Sequence, residues 1–138
     1  MLEKLLNTKT HMVLKQSMDA ANLRNDVIAN NIANVETPGF KRSEVIFEEQ
    51  MKKVLDNTTI YDKLKCTDDR HIQLGQASSQ SPIEVKKLED LSYRNDENNV
   101  DIDVENANLS KNKIYYDAVT QSMSNEIKLL RLAILGRG

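Results

Sequence analysis

Residues 29–42 read Ala29-Asn30-Asn31-Ile32-Ala33-Asn34-Val35-Glu36-Thr37-Pro38-Gly39-Phe40-Lys41-Arg42, and they bring a long helical pattern to a stop. Pro38 disfavours helical geometry at Thr37. Pro38-Gly39 then supplies a fixed φ followed by a permissive one, as the two central positions of a type II turn require. Asn30, Asn31 and Asn34 are poor helix formers, yet they stand at helical spacing beside Ile28, Ile32 and Val35. Polar amides on a half-apolar face suit an interface that selects one register among several. Asn31, farther inside the stripe, is the candidate for a contact between chains. Asn34 sits where an asparagine caps a helix end.

The pattern that stops there fills a first region, residues 1–35. Leu6, Val13, Ala20 and Val27 recur every seven residues, Leu14, Ala21 and Ile28 flank three of them, and no Pro or Gly interrupts the run. A helix of this length measures roughly 50 Å, which suits a coiled coil or a packed bundle better than a small globule. A second stripe closes the chain in residues 100–138. Leu109, Tyr116, Met123 and Leu130 recur every seven residues, and Ile127 and Ile134 follow the last two at a spacing of four. Asp101 or Asp103 can cap this helix, and Glu105 adds first-turn negative charge that favours the dipole. Arg131 and Gly136-Arg137-Gly138 place cations and glycine at its end.

Residues 36–99 separate the two stripes and are weakly patterned. Val45-Ile46-Phe47 is a short apolar cluster, and residues 48–55 read as a brief helix with Met51, Val54 and Leu55 on one side. Ile72 and Leu74, and Ile83 and Val85, suggest short extended pieces. Asn57-Thr58-Thr59, residues 78–82 and residues 95–99 read as loops. The expected fold is therefore mainly α. Long N- and C-terminal helices pack as a coiled-coil-like pair, joined by the Pro-Gly turn and a largely irregular middle that projects from their shared end.

Composition narrows the function. Aromatic residues make up 4% of the chain, with no Trp, so the private core is thin and much apolar surface is available to other chains. A net charge of −2, with Lys and Arg spread among Asp and Glu, gives no basic footprint for nucleic acid. Cys66 is alone, so no internal disulfide can form. No stretch approaches the roughly 18 apolar residues of a membrane span. The first ten residues carry neither an apolar run of secretory length nor a small-residue cleavage site.

No catalytic, cofactor or metal constellation emerges. Asp101-x-Asp103-x-Glu105 resembles the start of a calcium loop. Asn106 and Asn112, however, stand where an EF-hand needs glycine and glutamate, so a capped helix start explains it better. Cys66, Asp68, Asp69 and His71 share a polar segment with no further soft ligand near, and His11 is far along the chain. Lys52-Lys53 and Lys86-Lys87 read as solvated pairs. Lys41-Arg42, just past the turn, can meet acidic groups on a neighbouring subunit.

Asn31-Ile32-Ala33-Asn34, then Thr37-Pro38-Gly39-Phe40-Lys41-Arg42, resembles the signature of the flagellar basal-body rod and hook family of bacterial axial proteins. Phe40 stands where Tyr is common in that family, keeping the ring and losing a hydroxyl. Asn99-Val100-Asp101-Ile102-Asp103-Val104-Glu105, Asn112 and Tyr115-Tyr116-Asp117-Ala118-Val119 extend the resemblance, which covers residues 2–50 and 98–138. Short length and the absence of a large inserted domain point within the family to the proximal rod.

The resemblance implies a structural subunit that polymerises helically, with no cofactor, and that leaves the cell through the type III export channel. The implied partners are copies of itself, other rod proteins, and basal-body ring, adaptor and export-gate components. Its assembly interface would draw on both helical stripes, on Asn31, Ile32 and Asn34, and on the turn from Thr37 to Lys41. A soluble helical-hairpin adaptor or export chaperone is the alternative that the amphipathic pair alone would also fit.

Overall fold

The computed structural model describes residues 9–61, 83–89 and 94–136. Leu2, Leu6, Cys66, Asp68, Asp69, His71, Ile72, Leu74 and residues 78–82, singled out in the sequence, lie outside the described residues. Helix α1 spans Lys9–Ala33 and is followed by strand β1, Ser43–Ile46, and helix α2, Glu48–Tyr61. Strand β2, Glu84–Lys87, and helix α3, Ile102–Leu135, complete the order. The described chain is mainly helical, and α1 and α3 pack along one another.

Helix α3 has the clearer ends. The Asp101 side chain accepts from the amides of Asp103 and Val104 at 2.9 and 3.4 Å, satisfying donors that the first turn leaves without intrahelical partners. At the other end Gly136 adopts φ +61, and its amide donates to the Leu132 carbonyl. No basic residue occupies the last turn, so the left-handed glycine closes this helix rather than a cationic side chain such as Arg131.

Two findings in the middle region depart from the sequence reading. Helix α2 continues through Asn57-Thr58-Thr59 to Tyr61, although those residues favour loops. Its first turn carries Glu48 and Glu49, favourable to the dipole. The middle region also does not project: its described parts fold back along α1. Phe47 and Met51 close on Ala20, with Val13 and Ile83 packed against them. Ala20 has no exposed surface, and its methyl group lets the phenyl ring approach the helix closely.

Strands β1 and β2 pair antiparallel, with Val45 opposite Val85 and Glu44 opposite Lys86, a favourable cross-strand charge pair. Val45 is buried while Val85 is exposed, so the ribbon has one packed strand and one outer strand.

Arg24 fastens this layer at its centre. Its guanidinium pairs with Glu48 at 2.5 Å, reaches the Val45 carbonyl, and lies 5.9 Å from the centre of the Tyr115 ring on α3. The hydrogen bond from Arg24, opposed by partial burial, holds the Glu48 carboxyl below its ordinary 4.5. Folding therefore favours the deprotonated form. The contribution is complete above pH 4.5 and is lost as the pH falls through the lowered value. Thermal melts of the parent chain and Glu48→Gln are expected to differ at neutral pH and to converge in acid. The exposed carboxylate keeps the difference small. An equal gap at both pH values would rule this linkage out.

Candidate functional site

The two stretches that carry the family resemblance lie 74 residues apart in sequence, and the fold joins them through Asn31 and Glu105. Asn31 is on the last turn of α1 and is 1% exposed. Its Oδ1 accepts the Ser43 amide at 3.0 Å, and its Nδ2 donates to the Ser43 carbonyl at 2.9 Å. The carboxamide thus pairs with β1 as a neighbouring strand would. The same Nδ2 donates to Glu105 Oε2 at 3.0 Å. Arg42 Nε donates to Glu105 Oε1 at 2.7 Å. Glu105, in the first turn of α3, has no exposed surface and accepts from α1 on one oxygen and from the approach to β1 on the other. Both requirements of a buried charge are met, an opposite charge and hydrogen bonds.

Asn98 and Asn99 complete the arrangement. Asn98 is buried, and its Nδ2 lies 2.9–3.0 Å from the carbonyls of Asn34, Val35 and Thr37. Its Oδ1 accepts the Val100 amide. One carboxamide from the start of the third region therefore serves the carbonyls just beyond α1, which have no continuing helix to accept from. Asn99 takes the Arg42 amide on Oδ1 and donates to the Leu88 carbonyl, prolonging the β1–β2 pairing by one step.

At the tip, Gly39 has φ +71 and its amide donates to the Asp96 carbonyl, while the Phe40 amide reaches the Thr37 carbonyl at 3.3 Å. Lys41 Nζ caps the Glu97 carbonyl. Thr37, Pro38 and Gly39 face solvent, and Phe40 is half-buried. Asn34 Nδ2 donates to the Asn30 carbonyl one turn back, consistent with a capping role.

The placement of the expected interface residues is mixed. Asn31, expected to reach another chain, is enclosed and fully engaged within its own. Lys41 and Arg42 likewise find their partners internally. Val13 and Ala20 face Phe47 and Met51 rather than α3, and Val27 and Ile32 are half-buried. On α3, Tyr116, Met123 and Leu130 are half-buried, while Leu109, Ile127 and Ile134 are exposed.

The buried positions of α3 are Glu105, Asn112 and Val119. Asn112 and Val119 follow Leu109 and Tyr116 by three residues. Ile127 and Ile134 follow Met123 and Leu130 by four, which rotates them off the seam. Asn112 Nδ2 donates to the Ala21 carbonyl at 2.8 Å across the helix pair. A search for apolar residues alone passes over Glu105 and Asn112. Their shared spacing of seven with Val119 was the available signal.

The site is thus a joint between elements, assembled from carboxamides, one guanidinium and one carboxylate. The family model described as "Flagella basal body rod protein" matches residues 16–41, which contain Asn31 and the tip. The chain is 32% identical over 123 residues to the flagellar basal body rod protein FlgB of Bacillus subtilis, covering 89% of this chain and 91% of the relative. It is 36% identical over 121 residues to FlgB of Borrelia hermsii, covering 85% and 89%. With FlgB of Proteus mirabilis strain HI4320 it shares 31% identity over 148 residues and the whole of both chains. The chain belongs to the FlgB family of flagellar basal body rod proteins. The rod residues of this FlgB family member that the resemblance singled out at its two ends therefore meet in one place, around Glu105. Among the described residues no helix is long and apolar enough to cross a membrane.

Proposed function

We propose that this chain is a proximal-rod subunit that polymerises helically into the shaft carrying torque from motor to hook. It would leave the cell through the type III export channel without a cleaved signal. Family membership carries this reading, and the surface of α3 supports it. Ile114, Ile127, Leu129, Ile134 and Leu135 are exposed on one helix, more large apolar surface than a solvated helix ordinarily presents. In the polymer, α1 and α3 would line the inner tube. The tip at Thr37, Pro38 and Gly39 and the outer layer would meet neighbouring subunits, and ring, adaptor and export-gate components would lie below. The relatives do not favour an adaptor or chaperone.

Because Ile127 and Ile134 are exposed in the lone chain, they separate assembly from folding. Ile127→Asp and Ile134→Asp are expected to change thermal stability by no more than about 0.5 kcal/mol, as surface substitutions do. In the polymer each would bury an unpaired carboxylate in every subunit. Basal-body yield and swimming should therefore fall sharply while circular dichroism melts stay unchanged. Normal swimming by both variants would remove α3 from the assembly surface.

A further inference from the structure

We infer that the Glu105 carboxylate is a register key, selecting one antiparallel alignment of α1 against α3. The face of α1 turned toward α3 carries Ala21 and Ile28, and the inward face of α3 carries Glu105, Asn112 and Val119, each set recurring every seven residues. Sliding one helix past the other by seven residues, a displacement of roughly 10 Å, therefore brings inward positions opposite inward positions again. The apolar cluster does not forbid that slip, because Ala20, Phe47, Met51, Val13 and Ile83 include no residue of α3.

Polar groups do distinguish the alignments. Asn31 is held to Ser43 through both backbone atoms, so Asn31 and Arg42 stand at a fixed height beside the end of α1. Glu105 reaches both only in the observed alignment. In any other, a carboxylate with no exposed surface would lose both donors or be left buried without them. A single buried polar position fixes register in this way in helix pairs. The consequence reaches beyond the joint. The exposed apolar end of α3 is carried along by the register, so a slip would displace Ile127 and Ile134 relative to the tip by the same roughly 10 Å.

Disulfide trapping in the full-length chain tests this, in a Cys66→Ser background that removes the natural cysteine. The Asn31–Glu105 and Ala21–Asn112 bonds fix two levels of the antiparallel pair, and between them Asn25 stands level with Leu109, so Asn25→Cys with Leu109→Cys reports the observed alignment. Asn25→Cys with Tyr116→Cys, or with Ile102→Cys, reports a slip of seven residues in either direction. A disulfide requires Cα atoms within roughly 7 Å, which keeps the reporters distinct.

The key is then removed as a pair, by Arg42→Met with Glu105→Leu, so that no unpaired charge remains. Asn31 keeps its bonds to Ser43, and Asn112 its bond to Ala21. Helicity by circular dichroism is expected to persist, while slipped disulfides rise at least about tenfold over the parent. Two results would overturn the inference. If the double variant forms only the observed disulfide, Asn112 and the connecting segments suffice to set register. If it loses helicity altogether, the pair holds the helices together rather than choosing between alignments.

Discussion

Glu105→Gln is expected to destabilise the chain by about 3 kcal/mol, although it changes one oxygen to nitrogen and leaves the volume intact. Breaking a buried ion pair by removing one partner costs roughly 3–5 kcal/mol. Arg42 retains 23% side-chain exposure, so water relieves part of the loss and places the effect at the lower end. Glutamine cannot reproduce the geometry. Glu105 accepts from Arg42 on one oxygen and from Asn31 on the other. A carboxamide offers only one acceptor and presents its NH2 to the second donor.

Asn31 cannot rotate its amide to compensate, because its Oδ1 is committed to the Ser43 amide. Small domains have only about 5–15 kcal/mol of total stability, so the lost fraction is large. Urea unfolding of parent and variant measures it as a change in midpoint at constant slope. A midpoint within error of the parent would mean that the carboxylate contributes no more than a neutral acceptor.

The two long helices are legible in the sequence because their signal is redundant. Each has an apolar recurrence over several turns, no internal Pro or Gly, and end signals such as Asp101 and Gly136 that the fold uses. The far part of α2 is not legible. Asn57, Thr58 and Thr59 have low intrinsic helix propensity, and nothing local indicates that the helix begun at Glu48 continues through them. The direction of the middle region was also hidden. Ala20 reads as one more member of a stripe, and its small size marks a contact only once Phe47 is placed against it.

The joint was half visible. Asn31 stands out in the sequence as a polar residue in an apolar stripe, suited to setting register, and the fold places its partners inside the same chain. Glu105 reads in sequence as a first-turn charge serving the helix dipole. Sequence offers no way to see that a carboxylate so placed will meet Asn31, 74 residues earlier, since polar pairs carry no periodicity. The intrachain face of α3 is hidden for the same reason. Hydrophobic pattern passes over Asn112, whereas the helix turns Asn112 and Val119 inward three residues after Leu109 and Tyr116.

Phe47→Ala is expected to cost about 3–5 kcal/mol, the range for truncating a buried aromatic ring. Phe47 is 3% exposed and is the largest side chain in a cluster that otherwise comprises Ala20 and Met51, flanked by Val13 and Ile83. So few neighbours cannot collapse to fill the vacated volume, which favours the upper part of the range. The loss should be confined to the outer layer. Since the cluster contains no residue of α3, the α1–α3 pair should retain its helicity while β1, β2 and α2 detach from α1.

Amide hydrogen exchange distinguishes this from global loosening. Protection should drop in residues 43–51 and persist in residues 105–123. Asn31 and Ala20 are eleven residues apart on one helix, roughly 16 Å, and Glu105 shares no partner with Phe47. The Phe47→Ala and Glu105→Gln penalties should therefore add to within about 0.5 kcal/mol. A double variant markedly less destabilised than that sum would show that the polar joint and the apolar cluster fail together, as one cooperative unit attaching the outer layer to the helix pair.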